Sequence, residues 1–137
     1  MKKITIITTI SLMLTSSLVA NSQNSPEELF KTKCVSCHLT FKPSILSTLV
    51  APPIMGVMRH VKMSYPNKDK AIAFMKDYIL NPSQDKSICK PQKIKRFGLM
   101  PSQKGLVTEK ELDIILPWIY DNFPPKGFKG MGRVRGY

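Results

Sequence analysis

The sequence predicts an all-α chain. Two serine/threonine capping signatures, Ser25-Pro26-Glu27-Glu28 and Thr108-Glu109-Lys110-Glu111, each open an apolar run. Between them, Ile72, Met75 and Ile79 recur at i, i+3, i+7, the spacing of one helix face. No polar/apolar alternation is long enough for a strand, and no internal repeat is visible. A length of 137 residues suffices for one domain and a tail.

The chain begins as an export signal does. Lys2 and Lys3 form a positive start, residues 4–19 are apolar but diluted by Thr and Ser, and small residues follow at Ala20 and Ser22. A signal peptide over residues 1–20 is expected, with cleavage after Ala20 or Ser22. A stretch this short and rich in hydroxyls is a poor membrane anchor. No cysteine lies beside the cleavage site, as a bacterial lipoprotein would need.

Ser25 then caps the first helix, with Pro26 in its first turn and Glu28 completing a capping box. That helix, carrying Leu29 and Phe30, leads into Cys34-Val35-Ser36-Cys37-His38. This C-x-x-C-H pattern is the attachment signature of c-type haem: two thiols add across the porphyrin vinyl groups, and the adjacent imidazole can ligate the iron. A redox dithiol would need a βαβ setting, which is missing. A zinc site would need two further ligands, and only His60 and Cys89 remain. Haem attachment in bacteria occurs outside the cytoplasm, so the signal and the motif agree. Cys89 is left alone and reads as a small buried apolar residue.

Residues 39–53 read as loop, broken by Pro43, Pro52 and Pro53. A short helix is expected near residues 54–61. A clearer one starts at Asn67-Lys68-Asp69 and stops at Asn81-Pro82. Residues 81–107 show no strong periodicity, and a long irregular segment suggests a task such as delivering a ligand. The last helix opens at Thr108 and presents Leu112, Ile115 and Ile119, widened by Leu116 and Trp118. Pro117 is expected to interrupt and kink it. Residues 124–137 form a basic Gly/Pro-rich tail, expected to be flexible unless it docks.

The formal charge is +12. Export argues against nucleic acid as the partner, and the basic residues form no single long run. An acidic redox partner protein fits, with peripheral association at an anionic membrane face as a second possibility.

Taken together, these motifs resemble those of the class I, mitochondrial-type cytochrome c family. The resemblance spans roughly residues 25–123. Ala51-Pro52-Pro53-Ile54-Met55-Gly56 is similar to the family's G-P-x-L-x-G segment. Asp77-Tyr78-Ile79-Leu80-Asn81-Pro82 resembles its middle helix running into proline. Gly98-Leu99-Met100-Pro101 resembles its Met-Pro ligand loop, and residues 108–120 resemble its closing helix. The chain departs from the family pattern at Ala51, Pro117 and Cys89, and in the length of the segment before Met100.

The resemblance implies the class I cytochrome c fold, about four to five helices wrapped around one covalently bound haem c. The domain would occupy residues 21–123. It also implies thioether bonds at Cys34 and Cys37, and iron ligation by His38 and Met100. The Pro52 carbonyl would accept the other imidazole N–H of His38, and Phe30 would pack near Ile115, Trp118 or Ile119. By family position Met100 is preferred over Met55, Met58, Met63 and Met75. His60, between Arg59 and Lys62, reads as part of a solvated basic patch. The run Lys90, Lys93, Lys95, Arg96 either faces solvent or guides a partner to the haem edge. The expected protein is a monomeric periplasmic one-electron carrier and not an enzyme. The alternatives are a haem subunit of a larger redox complex, or a haem sensor or enzyme with a labile distal Met.

Overall fold

The computed structural model describes residues 25–41 and 43–130. The expected signal peptide, the linker 21–24, Lys42 and residues 131–137 of the tail lie outside the described residues. Among the described residues there are five α-helices: α1 (Pro26–Lys33), α2 (Ile54–Ser64), α3 (Lys68–Leu80), α4 (Pro91–Phe97) and α5 (Glu109–Asn122). A 3-10 turn at Leu46–Thr48 breaks the loop between α1 and α2. No strand is present among them, only an isolated bridge between Lys104 and Val107. No described helix is long and apolar enough to cross a membrane.

Local chemistry sets the helix ends. Ser25 Oγ accepts the Glu28 N–H at 3.2 Å and Pro26 opens α1, whose first turn is acidic and last turn basic, matching the helix dipole. Asn67 caps α3 through Oδ1 at 3.0 Å. At α5 the capping box closes in both directions: Thr108 Oγ1 accepts from Glu111 N–H, and Glu111 Oε2 accepts from Thr108 N–H at 2.7 Å.

Helix α5 forms the spine of the core. Leu112, Ile115, Leu116 and Ile119 are buried along one side of it. Leu29 and Phe30 of α1 and Ala71 and Met75 of α3 complete that core, with Ile54, Met58 and Val61 of α2 joining beyond α3. Phe30, only 2% exposed, packs its ring 5.4 Å from Trp118 and 5.3 Å from Phe123. That aromatic group fixes the crossing of the first and last helices.

Lys76 bridges α3 to Glu109 and Asp113, and Lys68 bridges it to Asp121. All three carboxylates are exposed, so these pairs set register more than stability, at roughly 0–1 kcal/mol each.

Two expectations need correction. Pro117 does not interrupt α5, which runs through it without a break. Its ring removes one donor to the Asp113 carbonyl, but Asp113 is on the exposed side, where water can replace the bond. The segment 81–107 is also not wholly irregular, since α4 lies within it. Pro91 at its first turn and Gly98 just past its end, at φ 73°, are the punctuation of a short helix. In the described part of the tail, Phe128 N–H donates to the Pro125 carbonyl, and the chain at Gly130 comes up beside the Arg59 guanidinium.

Candidate functional site

Helix α1 ends at Lys33, and the chain turns immediately at the two cysteines. Cys37 N–H and His38 N–H both donate to the Cys34 carbonyl, at 3.2 and 2.8 Å. This turn brings two thiols and an imidazole together on consecutive backbone bends. Both thiols are unbridged; Cys34 is half-buried and Cys37 exposed.

Burial, and secondarily the proximity of Cys37, pushes the Cys34 thiol up to about 11. It is therefore protonated at neutral pH, unlike the lowered thiol of a disulfide oxidoreductase. No three His, Cys, Asp or Glu side chains gather to hold a metal ion among the described residues.

His38 Nδ1 lies 2.8 Å from the Pro52 carbonyl oxygen. A carbonyl only accepts, so Nδ1 carries the proton and Nε2 is left with its lone pair. Burial holds the imidazole below its ordinary pKa, with the Pro52 bond opposing part of that shift. That shift favours the neutral ring, the form in which an imidazole can ligate a metal. Pro52 is held in place by the loop's return: Ile54 N–H donates to the Leu39 carbonyl at 3.0 Å, closing residues 39–54 behind the histidine.

Cys34, Cys37, His38 and Pro52 are thus brought together. Met100 is carried on a separate segment and makes no hydrogen bond to them among the described residues. It is half-buried, between α4 and a turn pinned to the end of α3. Ser102 Oγ donates to the Leu80 carbonyl at 2.6 Å, and Gln103 N–H donates to the Ile79 carbonyl at 3.0 Å. The donor set of two thiols, one imidazole with a free Nε2 and one thioether fits a covalently attached haem, whose iron takes a nitrogen and a sulfur ligand.

His60 lies elsewhere, on α2. Burial lowers its pKa, and Lys90, Arg59 and Lys93 lower it further. Cys89 is half-buried in the turn before α4.

Two positioning side chains escaped the sequence reading. Lys33 Nζ donates to the Leu106 carbonyl at 2.9 Å and pairs with Glu111, tying the residue before Cys34 to the segment after Met100. Arg96 Nη2 donates to the Leu46 carbonyl at 2.6 Å, tying α4 to the loop after His38. Both acceptors are backbone carbonyls distant in sequence, for which a sequence carries no signal.

A protein of Aquifex aeolicus (strain VF5), described only as an uncharacterized protein, is 31% identical to this chain over 122 residues, and the match takes in 80% of each chain. The chain belongs to the same family as that protein. No family model matches the chain, and no solved structure matches it.

Proposed function

We propose that this protein is an exported, mono-haem c-type cytochrome of the class I fold, acting as a one-electron carrier in the periplasm. The observation that carries the reading is the turn Cys34–His38 with both thiols unbridged and His38 Nδ1 bonded to the Pro52 carbonyl. Cys34 and Cys37 would hold the porphyrin as thioethers, and His38 Nε2 and the Met100 sulfur would ligate the iron. Haem bound there supplies reversible ferrous/ferric exchange.

The protein's own groups set the terms of that exchange. Pro52 fixes the tautomer and orientation of His38 and raises its basicity as a ligand. Burial keeps a competing proton off the ring. Met100 offers a neutral, soft sulfur that favours the ferrous state. Ser102 and Gln103 pin its loop to α3, so little need rearrange as charge changes. No substrate is bound or converted in this reading. An acidic redox protein is the proposed partner, drawn by the net positive charge.

Optical spectra of the purified protein in both redox states test this reading. The expected spectrum is that of low-spin c-type haem with a sulfur-to-ferric-iron charge-transfer band. A colourless preparation, or pigment that extracts into acidified organic solvent, overturns it.

A second reading is a haem sensor or enzyme with a labile distal ligand. It draws on α4, which directly precedes the Met100 loop and buries no side chain. Carbon monoxide binding to the reduced wild-type protein would favour this reading over the carrier.

A further inference from the structure

Little holds α4 to the rest of the molecule. It is a seven-residue helix that buries no side chain. The helices pack as α1 on α5, α3 on α5 and α2 on α3, and α4 joins none of these pairings. Every ion pair among the described residues takes its cation from α1, α3 or Lys86, so none anchors α4.

One side chain of α4 does reach another element. Arg96 Nη2 donates to the Leu46 carbonyl at 2.6 Å, the one side-chain hydrogen bond that α4 makes among the described residues. Both ends of it are set locally. Leu46 opens the 3-10 turn, in which Thr48 Oγ1 donates to the Ile45 carbonyl at 2.8 Å and Leu49 N–H shares the Leu46 carbonyl at 3.3 Å. The Arg96 guanidinium lies 4.7 Å from the centre of the Phe97 ring. A guanidinium on a carbonyl is a charge-assisted bond, stronger than a neutral pair.

This bond joins the two segments that carry the proposed iron ligands. Arg96 precedes Met100 along the strap 91–101. Leu46 lies between His38 and Pro52, in the loop that Ile54 N–H closes on the Leu39 carbonyl at 3.0 Å. Beyond Met100 the chain is anchored by two bonds to the end of α3, from Ser102 and Gln103. Met100 thus hangs between a double anchor behind it and the single Arg96 anchor ahead of it.

We propose that Arg96 is a positioning residue that latches the Met100 strap: its bond to the Leu46 carbonyl keeps Met100 on the iron and sets how readily another ligand displaces it. The strap has two states, closed with the sulfur in place and open with it withdrawn. Only the closed state makes the Arg96 bond, so losing the bond shifts the population toward the open one. An outside ligand binds the open state alone, and its apparent affinity reports that population. The consequence at the iron rests on the haem reading; the hold of Arg96 on the strap does not. Lys95, next in the chain, carries the same charge without the bond and separates latching from electrostatics.

The test pairs imidazole titration of the ferric protein, followed through the sulfur-to-iron charge-transfer band, with amide hydrogen exchange read by mass spectrometry. Arg96→Ala is expected to bind imidazole about tenfold more tightly and to exchange the amides of residues 91–101 about tenfold faster, with α5 unchanged. Lys95→Ala is expected to match the wild type in both, and Arg96→Lys to restore most of the wild-type behaviour. Unchanged imidazole affinity in Arg96→Ala, an equal gain in Lys95→Ala, or exchange that quickens as much in α5 as in the strap would overturn the proposal. A wild-type protein without covalent haem or without the charge-transfer band sinks the haem reading instead. Hydrogen exchange then still decides the latch: a faster strap in Arg96→Ala supports it, and an unchanged one removes it.

Discussion

The Pro52 carbonyl fixes which ring nitrogen of His38 bears the proton. Under the proposed ligation, the iron is then held between His38 and Met100, and the two ligands differ in how they are anchored. Met100→Ala is expected to leave the covalent pigment in place, abolish the sulfur-to-ferric charge-transfer band and open the reduced iron to carbon monoxide. Absorbance spectra before and after gas addition check this, and a variant that still refuses carbon monoxide would remove Met100 from the iron.

Protons act on this site with a definite sign. His38 and His60 both have pKa values lowered in the folded protein, in each case chiefly by burial, and for His60 also by Lys90, Arg59 and Lys93. As pH falls through the ordinary value of 6.5, the unfolded chain takes up these protons and the folded one resists. Stability present above that pH is therefore lost below it. Under the proposed ligation, iron on Nε2 would keep the sign, since a metal competes with the proton. Denaturant midpoints are expected to fall from about pH 7 to about pH 5, and His60→Gln should flatten part of the slope. An identical slope in that variant would exclude His60 from the effect.

At this scale the sequence is informative where the chemistry is contiguous. Cys34, Cys37 and His38 can be read together because they occupy one turn. Lys33 and Arg96 cannot, because their acceptors are main-chain oxygens 73 and 50 residues away.

At the scale of elements, the capped helices were the legible ones. Ser25, Asn67 and Thr108 announce α1, α3 and α5, and each accepts the expected backbone N–H. At α1 only Ser25 acts as a cap; the reciprocal bond from Glu28 that would complete a box is made only by its counterpart Glu111 in α5. Helix α4 was illegible to periodicity because its seven residues offer only Ile94 and Phe97 as apolar positions, and neither is buried. Its Pro and Gly punctuation was the readable signal.

Thr108→Ala breaks the closed capping box and is expected to cost about 1 kcal/mol, seen as a lower thermal midpoint with an unchanged visible spectrum. Pro117→Ala returns a donor to the Asp113 carbonyl within an unbroken helix. It is expected to raise stability by about 1 kcal/mol, measured by denaturant unfolding. A loss instead would mean that the Pro117 ring contributes more by packing than the bond it removes.

For the molecule as a whole, the all-α class was legible because helical spacing and caps agreed along the chain. The packing of Phe30 against the last helix came from the family resemblance and not from spacing, and the Phe30 ring does lie against Trp118. The joining of the loop and α4 was not legible, because it is assembled from stretches separated by α3. The net charge predicts behaviour in solution: electron transfer to an acidic partner is expected to slow as ionic strength rises, followed by stopped-flow absorbance. Rates independent of salt would argue against electrostatic guidance.

The carboxylates lie on α1, α3, α5 and the turn after α3, whereas α2 and α4 carry cations and no acid, so charge is unevenly spread over the protein. Such a molecule does not tumble indifferently near a charged electrode. If the proposed haem is present, a carboxylate-coated electrode is expected to hold the protein with α4 inward, which would set the route open to current.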